Sequence, residues 1–408
     1  MVVSRAVPVG VITHVSAQTF FGAFFATCPR GLEALLAEEL RGIGATAIRP
    51  VPGGVGFEGG LAVCYGANLH SRIATRVLLQ LGHAAYRKEQ DVYDAAYAVP
   101  WQRWFTVERS IRVDVTAIRS PLKSLDFITL RIKDAACDRF RAECGRRPSV
   151  DTRAADVHIA AFLDTHHVTL YLDTSGEPLY KRGYRSERGE APLKENLAAG
   201  ILALTGWNTE EPLFDPMCGS GTFVIEAAMM ALRIAPGAGR SFGFERLLGY
   251  DPTLWRSLRN AAAAGQEQPR ALPVFGSDIS GRELRYAHEN LKAAGLVNAV
   301  ELRKADVIEV PPPAPHGVMV VNPPYGVRLG EEQAMSDFYP KLGDALKTRF
   351  AGWRCYIFSA DTELPRRIRL KATKRTPLFN GPLECRLYEY RLIAGSLRRP
   401  RNEGQAAV

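Results

Sequence analysis

The chain has 408 residues, two to three times the usual domain of about 100–200, with 46% hydrophobic and 23% charged residues. That balance excludes a disordered, collagenous or disulfide-scaffold chain, and no run approaches the ~20 apolar residues of a membrane-spanning helix. The net charge of +9 is concentrated: Pro340 to Arg401 carries fifteen Lys or Arg against five Asp or Glu, and Arg366, Arg367, Arg369, Lys371, Lys374 and Arg375 crowd together within it. A polyanionic partner explains this asymmetry through counterion release; a solvated basic face is the alternative.

Pro8, Gly10 and His14 interrupt the mildly apolar first twenty residues, which argues against a signal peptide and for a ragged extension or a misplaced start. The seven cysteines are odd in number and contain no Cys-x-x-Cys pair, and the eight histidines show no metal-ligand spacing. This pattern argues for no metal, no disulfide framework, reduced thiols and a cytoplasmic location. From Phe20, Leu32, Leu35, Leu36 and Leu40 recur at helical spacing and stop at Gly42 and Gly44. A glycine-punctuated strand (51–60) and a second helical run near Ala67–Leu81 complete a small α+β unit. A second α+β segment runs from about Val92 to Asp173. It has an alternating strand at Ile111, Val113 and Val115, a helix presenting Ile128, Ile132, Ala135, Ala136 and Phe140, and two strands between Pro148 and Leu172. An antiparallel sheet is expected there, and nothing in it looks catalytic.

A polar connector, GEPLYKRGYRSERGEAPLK, carries Lys181, Arg182, Arg185, Arg188 and Lys194 among glycines and prolines and marks a hinge. Beyond it, strands and helices alternate. Strands are expected at Leu213-Phe214, Val274-Phe275, Val300–Arg303, Val318–Val321 and Cys355–Ser359, and helices at Thr222–Leu232, Arg282–Ala294 and Ser336–Arg349. A stretch of about 234–270 must loop out between the first two strands. Such alternation predicts a parallel sheet covered on both faces, with ligands at the carboxyl ends of its strands. The tail from Ser396 reads as disordered.

The strand ends carry the chemistry. Asp215-Pro216-Met217-Cys218-Gly219-Ser220-Gly221-Thr222 follows the first strand, with glycines for a tight turn and close backbone approach. It has no Lys and opens with a carboxylate, which suits a cation better than a phosphate. Asp278 ends the second strand and Asp306 follows the third. Either alone could be a helix cap, but three carboxylates on successive strand ends fit a nucleoside bearing a cation, S-adenosylmethionine. After the fourth strand comes Asn322-Pro323-Pro324-Tyr325-Gly326. Its prolines remove donors and hold carbonyls outward. With the Asn322 side-chain oxygen these carbonyls form acceptors for both protons of a planar exocyclic amine, and Tyr325 can stack on the base. The alternative is a proline-rich turn with a buried tyrosine.

DPMCGSGTF, NPPYG, DTSGEPLYKRGYR, APLKENLAA and FNGPLEC together resemble the bacterial THUMP-domain guanine-N2 methyltransferases of the 23S rRNA RlmL family, over Phe25 to Leu392. The resemblance implies an α/β fold: a Rossmann-like class I methyltransferase domain (195–394) preceded by an α+β ferredoxin-like unit (20–62), a THUMP RNA-binding domain (63–174) and a linker (175–194), with a tail over 395–408. It implies S-adenosylmethionine as cofactor and 23S rRNA as partner. Residue by residue, Asp215, Met217, Cys218, Gly219, Gly221 and Thr222 would hold the methionine portion, Asp278 with Ile279 the ribose side, and Asp306 the adenine amine. Asn322, Pro323, Pro324 and Tyr325 would hold the target guanine, Asn322 also lying beside the cofactor. Arg366, Arg367, Arg369, Lys181, Arg182 and Arg185 would meet RNA. The chain departs from longer members in having one methyltransferase domain. A tRNA guanine-N2 enzyme, an adenine amino-methyltransferase and a non-catalytic RNA-binding assembly factor share these parts.

Overall fold

The computed structural model describes residues 20–185, 193–323 and 331–393, the stretch 331–336 as backbone only. The first twenty residues (save Phe20), Arg188, Pro324, Tyr325 and the tail from Ser396 lie outside it.

The N-terminal half is one mixed sheet with helices. In chain order it contains β1 (Gly22–Thr27), α1 (Glu33–Gly42), β2 (Thr46–Val51), β3 (Gly54–Gly59), α2 (Leu61–His70), β4 (Arg76–Ala85), α3 (Glu89–Ala98), β5 (Ile111–Ala117), α4 (Leu125–Cys144), β6 (Val157–Leu163) and β7 (His167–Asp173). The strand order is β2-β3-β1-β4-β7-β6-β5. The ten-residue β4 is the joint: its first residues pair with β1 and most of its length pairs with β7, both antiparallel. The boundary expected at residue 62 falls just inside α2, whose flanking strands β3 and β4 belong to one continuous sheet.

Two expectations change here. The second helix is α2, ending at His70, and Val77 to Leu81 belongs to β4. Val77, Leu78 and Leu79 are all buried, and a short apolar run reads alike as helix or strand until its neighbours are known. The second segment is also not purely antiparallel, since β5 pairs with β6 in parallel register. The 20-residue α4 crosses over between them, the connection parallel neighbours require. Its ends follow from sequence: Ser124 caps the Phe127 amide at 3.2 Å, and Gly145 takes φ 70° past the last turn.

The C-terminal half comprises α5 (Glu195–Leu204), β8 (Leu213–Asp215), α6 (Thr222–Ala231), α7 (Pro252–Ala264), β9 (Val274–Asp278), α8 (Gly281–Ala293), β10 (Glu301–Lys304), β11 (Gly317–Val321), α9 (Glu331–Arg349), β12 (Trp353–Ser359), α10 (Leu364–Arg367), β13 (Lys374–Asn380) and β14 (Leu383–Arg391). Strand order is β10-β9-β8-β11-β12-β14-β13, with β14 antiparallel to both its neighbours. Every residue of β8 and β11 is buried, as expected for strands covered on both faces. The order reverses between β8 and β11, so a crevice opens beyond their carboxyl ends.

The stretch expected to loop out folds back and joins the two halves. Phe244 stacks on Tyr65 of α2 with centroids 4.2 Å apart, and Trp255 of α7 meets both rings edge-on. Gly243 and Gly176 bring two backbones so close that a Cβ on Gly243 would lie 2.8 Å from the Asp173 carbonyl oxygen. The Arg240 guanidinium donates to the carbonyls of Ser175, Glu177, Pro178 and Lys181.

Candidate active site

At the end of β8, Asp215 is 2% exposed and accepts the Met217 amide at 3.2 Å. Burial, reinforced by the nearby Asp278 charge, holds its carboxyl well above the usual carboxylate range. Among the described residues no cation pairs with it. A buried carboxylate of this kind is complementary to a positively charged ligand.

The loop behind it is tightly specified. The Cys218 amide donates to the Ser277 carbonyl at 2.9 Å and the Gly221 amide to the Cys218 carbonyl at 2.8 Å. Gly219 and Gly221 take φ of 51° and 86°, where other residues are strained. A Cβ on Gly221 would also sit 3.2 Å from Ala287 Cβ, whereas the Cβ direction of Gly219 opens on space. Asp278 joins this loop to β9: its Oδ2 accepts the Gly219 amide at 2.9 Å and its Oδ1 the Ser280 amide at 2.8 Å. Beside it Ile279 leaves 65% of its surface exposed, an apolar face at the rim of the crevice. Asp306, just past β10, accepts the Ile308 amide at 2.9 Å. Buried Pro323 and half-buried Asn322 end β11 directly across the reversal from Asp215.

The structure thus brings Asp215, Met217, Cys218, Gly219, Gly221, Thr222, Asp278, Ile279, Asp306, Asn322 and Pro323 to one edge of one sheet. Pro324 and Tyr325 lie outside the described residues. Arg366, Arg367 and Arg369 belong to the same edge, because α10 follows β12, the strand beside β11. With Lys341, Asp337, Pro340 and Glu363 they line an open groove of about 750 Å³. Gly343 of α9 lets the Ile368 backbone settle directly against that helix, since any Cβ there would overlap the Ile368 carbonyl.

The connector cations go elsewhere. Arg182 is 5% exposed; its guanidinium lies 3.3 Å from Glu226, which is fully buried, and also donates to the Leu179 and Arg72 carbonyls at 2.7 Å each. No phosphate reaches it there, which removes Arg182 from the RNA-facing set. Arg185, with a side chain 19% exposed, is committed to Glu195 and to the Thr222 hydroxyl. Lys181 stays at the surface, paired with Glu177 at 2.6 Å, and Lys194 is exposed as well.

Four residues of the site were missed in sequence. Glu226 holds Arg182 and Tyr184, Glu195 holds Arg185, and Asn290 of α8 donates to the Ser220 carbonyl at 3.0 Å. Gly276 of β9 admits Cys218 Sγ, which would lie 3.4 Å from any Cβ there. Glu226 was detectable as the lone charge in the apolar run TFVIEAAMMA.

A largely parallel sheet with a glycine loop, a buried carboxyl that no described cation pairs with and Asn322-Pro323 at its reversal defines a Rossmann-like, S-adenosylmethionine-dependent methyltransferase. Models of three domains match in the same order: the RlmL ferredoxin-like domain over residues 23–78, the THUMP domain over 86–173 and the RMKL-like methyltransferase domain over 182–389. The chain belongs to this RlmK/L-type methyltransferase family. It is 40% identical to a Synechocystis protein provisionally named an RNA methyltransferase, covering 90% of this chain and 96% of that one. It is 41% identical to the ribosomal RNA large subunit methyltransferase K/L of Aeromonas salmonicida over 94% of this chain but only 56% of the relative's length. The crystal structure of SMU.472, provisionally named a methyltransferase and complexed with SAH, superposes with a TM-score of 0.82 at 30% identity, covering 93% of this chain and 99% of that one.

The residues present fit the cofactor. Asp215 offers a buried carboxyl whose ionised form a bound cation would stabilise, the Gly219 side of the loop is open, and Ile279 presents an apolar face beside Asp278. Among the described residues no cluster of three or more His, Cys, Asp or Glu could hold a metal ion, and no helix is long and apolar enough to cross a membrane.

Proposed function

We propose that this protein methylates the exocyclic N2 amine of a guanine in 23S rRNA, in the cytoplasm. The observation that carries the reading is the placement of Asn322-Pro323 at the end of β11, across the strand reversal from the glycine loop and Asp215. S-adenosylmethionine, when bound, supplies an electrophilic methyl group on a sulfonium. Asp215 and the Met217–Thr222 loop would hold its methionine portion, Asp278 and Ile279 its ribose side and Asp306 its adenine amine.

The oxygens of Asn322 and Pro323 would accept hydrogen bonds from both N–H groups of the guanine amine. Its lone pair would thereby face the methyl donor, one N–H proton passing to solvent as the new N–C bond forms and the C–S bond breaks, and Tyr325 would stack on the base. Positioning of this kind, with preorganised acceptors, supplies the rate acceleration without a shifted general base. A guanine inside a helix must be flipped out to reach Asn322, which favours naked or partly assembled RNA as substrate. The exposed Arg366, Arg367 and Arg369 on the same edge neutralise phosphates flanking the target.

Labelled S-adenosylmethionine offered to purified 23S rRNA and bulk tRNA in parallel, followed by nucleoside analysis, tests the reading. N2-methylguanosine in 23S rRNA alone is expected; the same product in tRNA, or methyladenosine in either, overturns the substrate. In this assay Asn322→Ala lowers turnover by roughly 10²–10³-fold, the cost of removing a preorganised polar group, while cofactor affinity stays near normal. Loss of cofactor binding in Asn322→Ala would reassign Asn322.

A further inference from the structure

Gly221 caps α6 and brings no side chain to the task, so the amide end of this helix is uncapped by any side chain. The side-chain anchor at this point is Thr222, 7% exposed, whose Oγ1 accepts a hydrogen bond from Arg185 Nη2 at 2.8 Å. The same Nη2 donates to the Leu193 carbonyl at 3.2 Å, and Arg185 Nε lies 3.0 Å from Glu195 Oε1 on a side chain 5% exposed. One turn along α6, Glu226 is held by Arg182 and Tyr184. Arg182 in turn reaches the Arg72 carbonyl, and Arg72 Nη2 reaches the Met229 and Ile234 carbonyls at 3.1 and 2.7 Å. The connector therefore grips α6 twice, once in its middle and once at the residue that opens it.

We propose that Arg185 is a positioning residue for the cofactor loop, acting through the Thr222 hydroxyl and held in place by Glu195. The proposal rests on the reading of this loop as the S-adenosylmethionine site. Thr222 follows Gly221 directly, and the backbone of Gly219 to Gly221 is otherwise tied through Asp278, Cys218 and Asn290. Releasing Thr222 frees the helix end of the loop, and the ligand then bears the ordering cost on binding. A guanidinium suits the place because its Nη2 serves both the hydroxyl and the Leu193 carbonyl while its delocalised charge, rigidly planar, pairs with Glu195, which a lysine ammonium on a flexible stem does not reproduce. The Arg182–Glu226 pair, deeper in the fold, supports the helix body and is not part of this tether.

The test is calorimetric titration of the full-length protein with S-adenosylhomocysteine, with thermal melting alongside. The proteins compared are wild type, Thr222→Ser, Thr222→Val, Arg185→Gln and the Val/Gln double variant. Thr222→Val and Arg185→Gln each weaken binding by roughly tenfold, the range for a lost hydrogen bond to a charged group. The double variant is no weaker than the weaker single, because both remove one interaction, and Thr222→Ser, which keeps the hydroxyl, binds more tightly than Thr222→Val. Affinity for RNA is unchanged in all of them. Unchanged affinity for S-adenosylhomocysteine with a lowered melting temperature overturns the proposal and leaves Arg185 a packing residue. Losses that multiply in the double variant overturn it too, by making Arg185 a direct ligand contact. Absence of binding in the wild type would instead remove the cofactor reading itself. Thr222→Val keeps the test decisive where Arg185→Gln fails to fold.

Discussion

Two clusters of cations that look alike in sequence end in opposite environments. Lys181, Arg182 and Arg185 lie among glycines in the connector; Arg366, Arg367 and Arg369 lie in and just after the four-residue α10. In the first cluster both arginines turn inward, the Arg182 side chain 1% exposed against a Glu226 side chain at 0%, while Lys181 stays out. The second turns outward, the Arg366 side chain remaining 89% exposed and 3.8 Å from Glu363. What separates them is a buried acid. Each inward arginine has a carboxylate waiting on a helix of the methyltransferase domain, Glu226 or Glu195, and such a charge is tolerated inside only when paired. The outward cations meet solvent-exposed Glu363 and part-exposed Asp361, contacts worth little in water. Charge density in sequence therefore does not separate a nucleic-acid face from an internal clamp.

Breaking the clamp gives the largest effect. Glu226→Ala leaves Arg182 buried without its counter-charge and lowers stability by about 3–5 kcal/mol, read by urea unfolding. A loss under about 1 kcal/mol would mean that water reaches Arg182 and that the comparison is drawn too sharply.

Asp215 sharpens the contrast as a buried acid that no cation of the described residues pairs with. Its carboxyl is raised by burial first and by Asp278 second, so the folded state favours the protonated form. The unfolded chain ionises near pH ~3.9, so this residue's contribution to stability is full below that value and is lost as pH rises toward the folded pKa. Asp215→Asn removes the penalty. Its melting temperature should exceed that of wild type increasingly as pH rises from about 4 toward neutrality, while affinity for S-adenosylmethionine falls by roughly tenfold or more. Equal pH profiles for the two proteins would refute the assignment of Asp215 as an uncompensated buried acid.

The smallest effect on folding belongs to the outward cluster. Replacing Arg366, Arg367 and Arg369 with Gln should leave stability within about 0.5 kcal/mol. The same change should reduce the log–log salt slope of RNA binding by up to about 2.7, at about 0.9 for each phosphate that the variant no longer neutralises. Lys181→Ala serves as the connector control. An unchanged slope in the triple variant would return that surface to an ordinary solvated face.

The methyltransferase half was the more legible part. Its central strands β8, β11 and β12 are apolar and joined through helices, and its chemistry falls at strand ends, so motif order alone placed Asp215, Gly219, Gly221, Asp278, Asp306 and Asn322 on one edge. The N-terminal half was less so. Val77 to Leu81 is apolar in a way that suits either a helix or a central strand, and only pairing with β1 on one side and β7 on the other decides it. Parallel pairing of β5 with β6 was likewise hidden, because it depends on α4 crossing over rather than on either strand.

The sequence by itself determined the class of fold, the order of the domains and the residues that line the crevice. Those properties reside in local periodicity, glycine conformation and the chemistry of a few contiguous motifs. Tertiary structure alone decided which cations face solvent and which lock the core, and that the stretch around Phe242, Phe244 and Trp255 binds the two halves together. It also decided that Glu195 and Glu226 govern the helix behind the glycine loop. Those outcomes depend on residues far apart in sequence meeting where water is excluded, and a charge's partner and its solvation are properties of the assembled fold rather than of its neighbours in the chain.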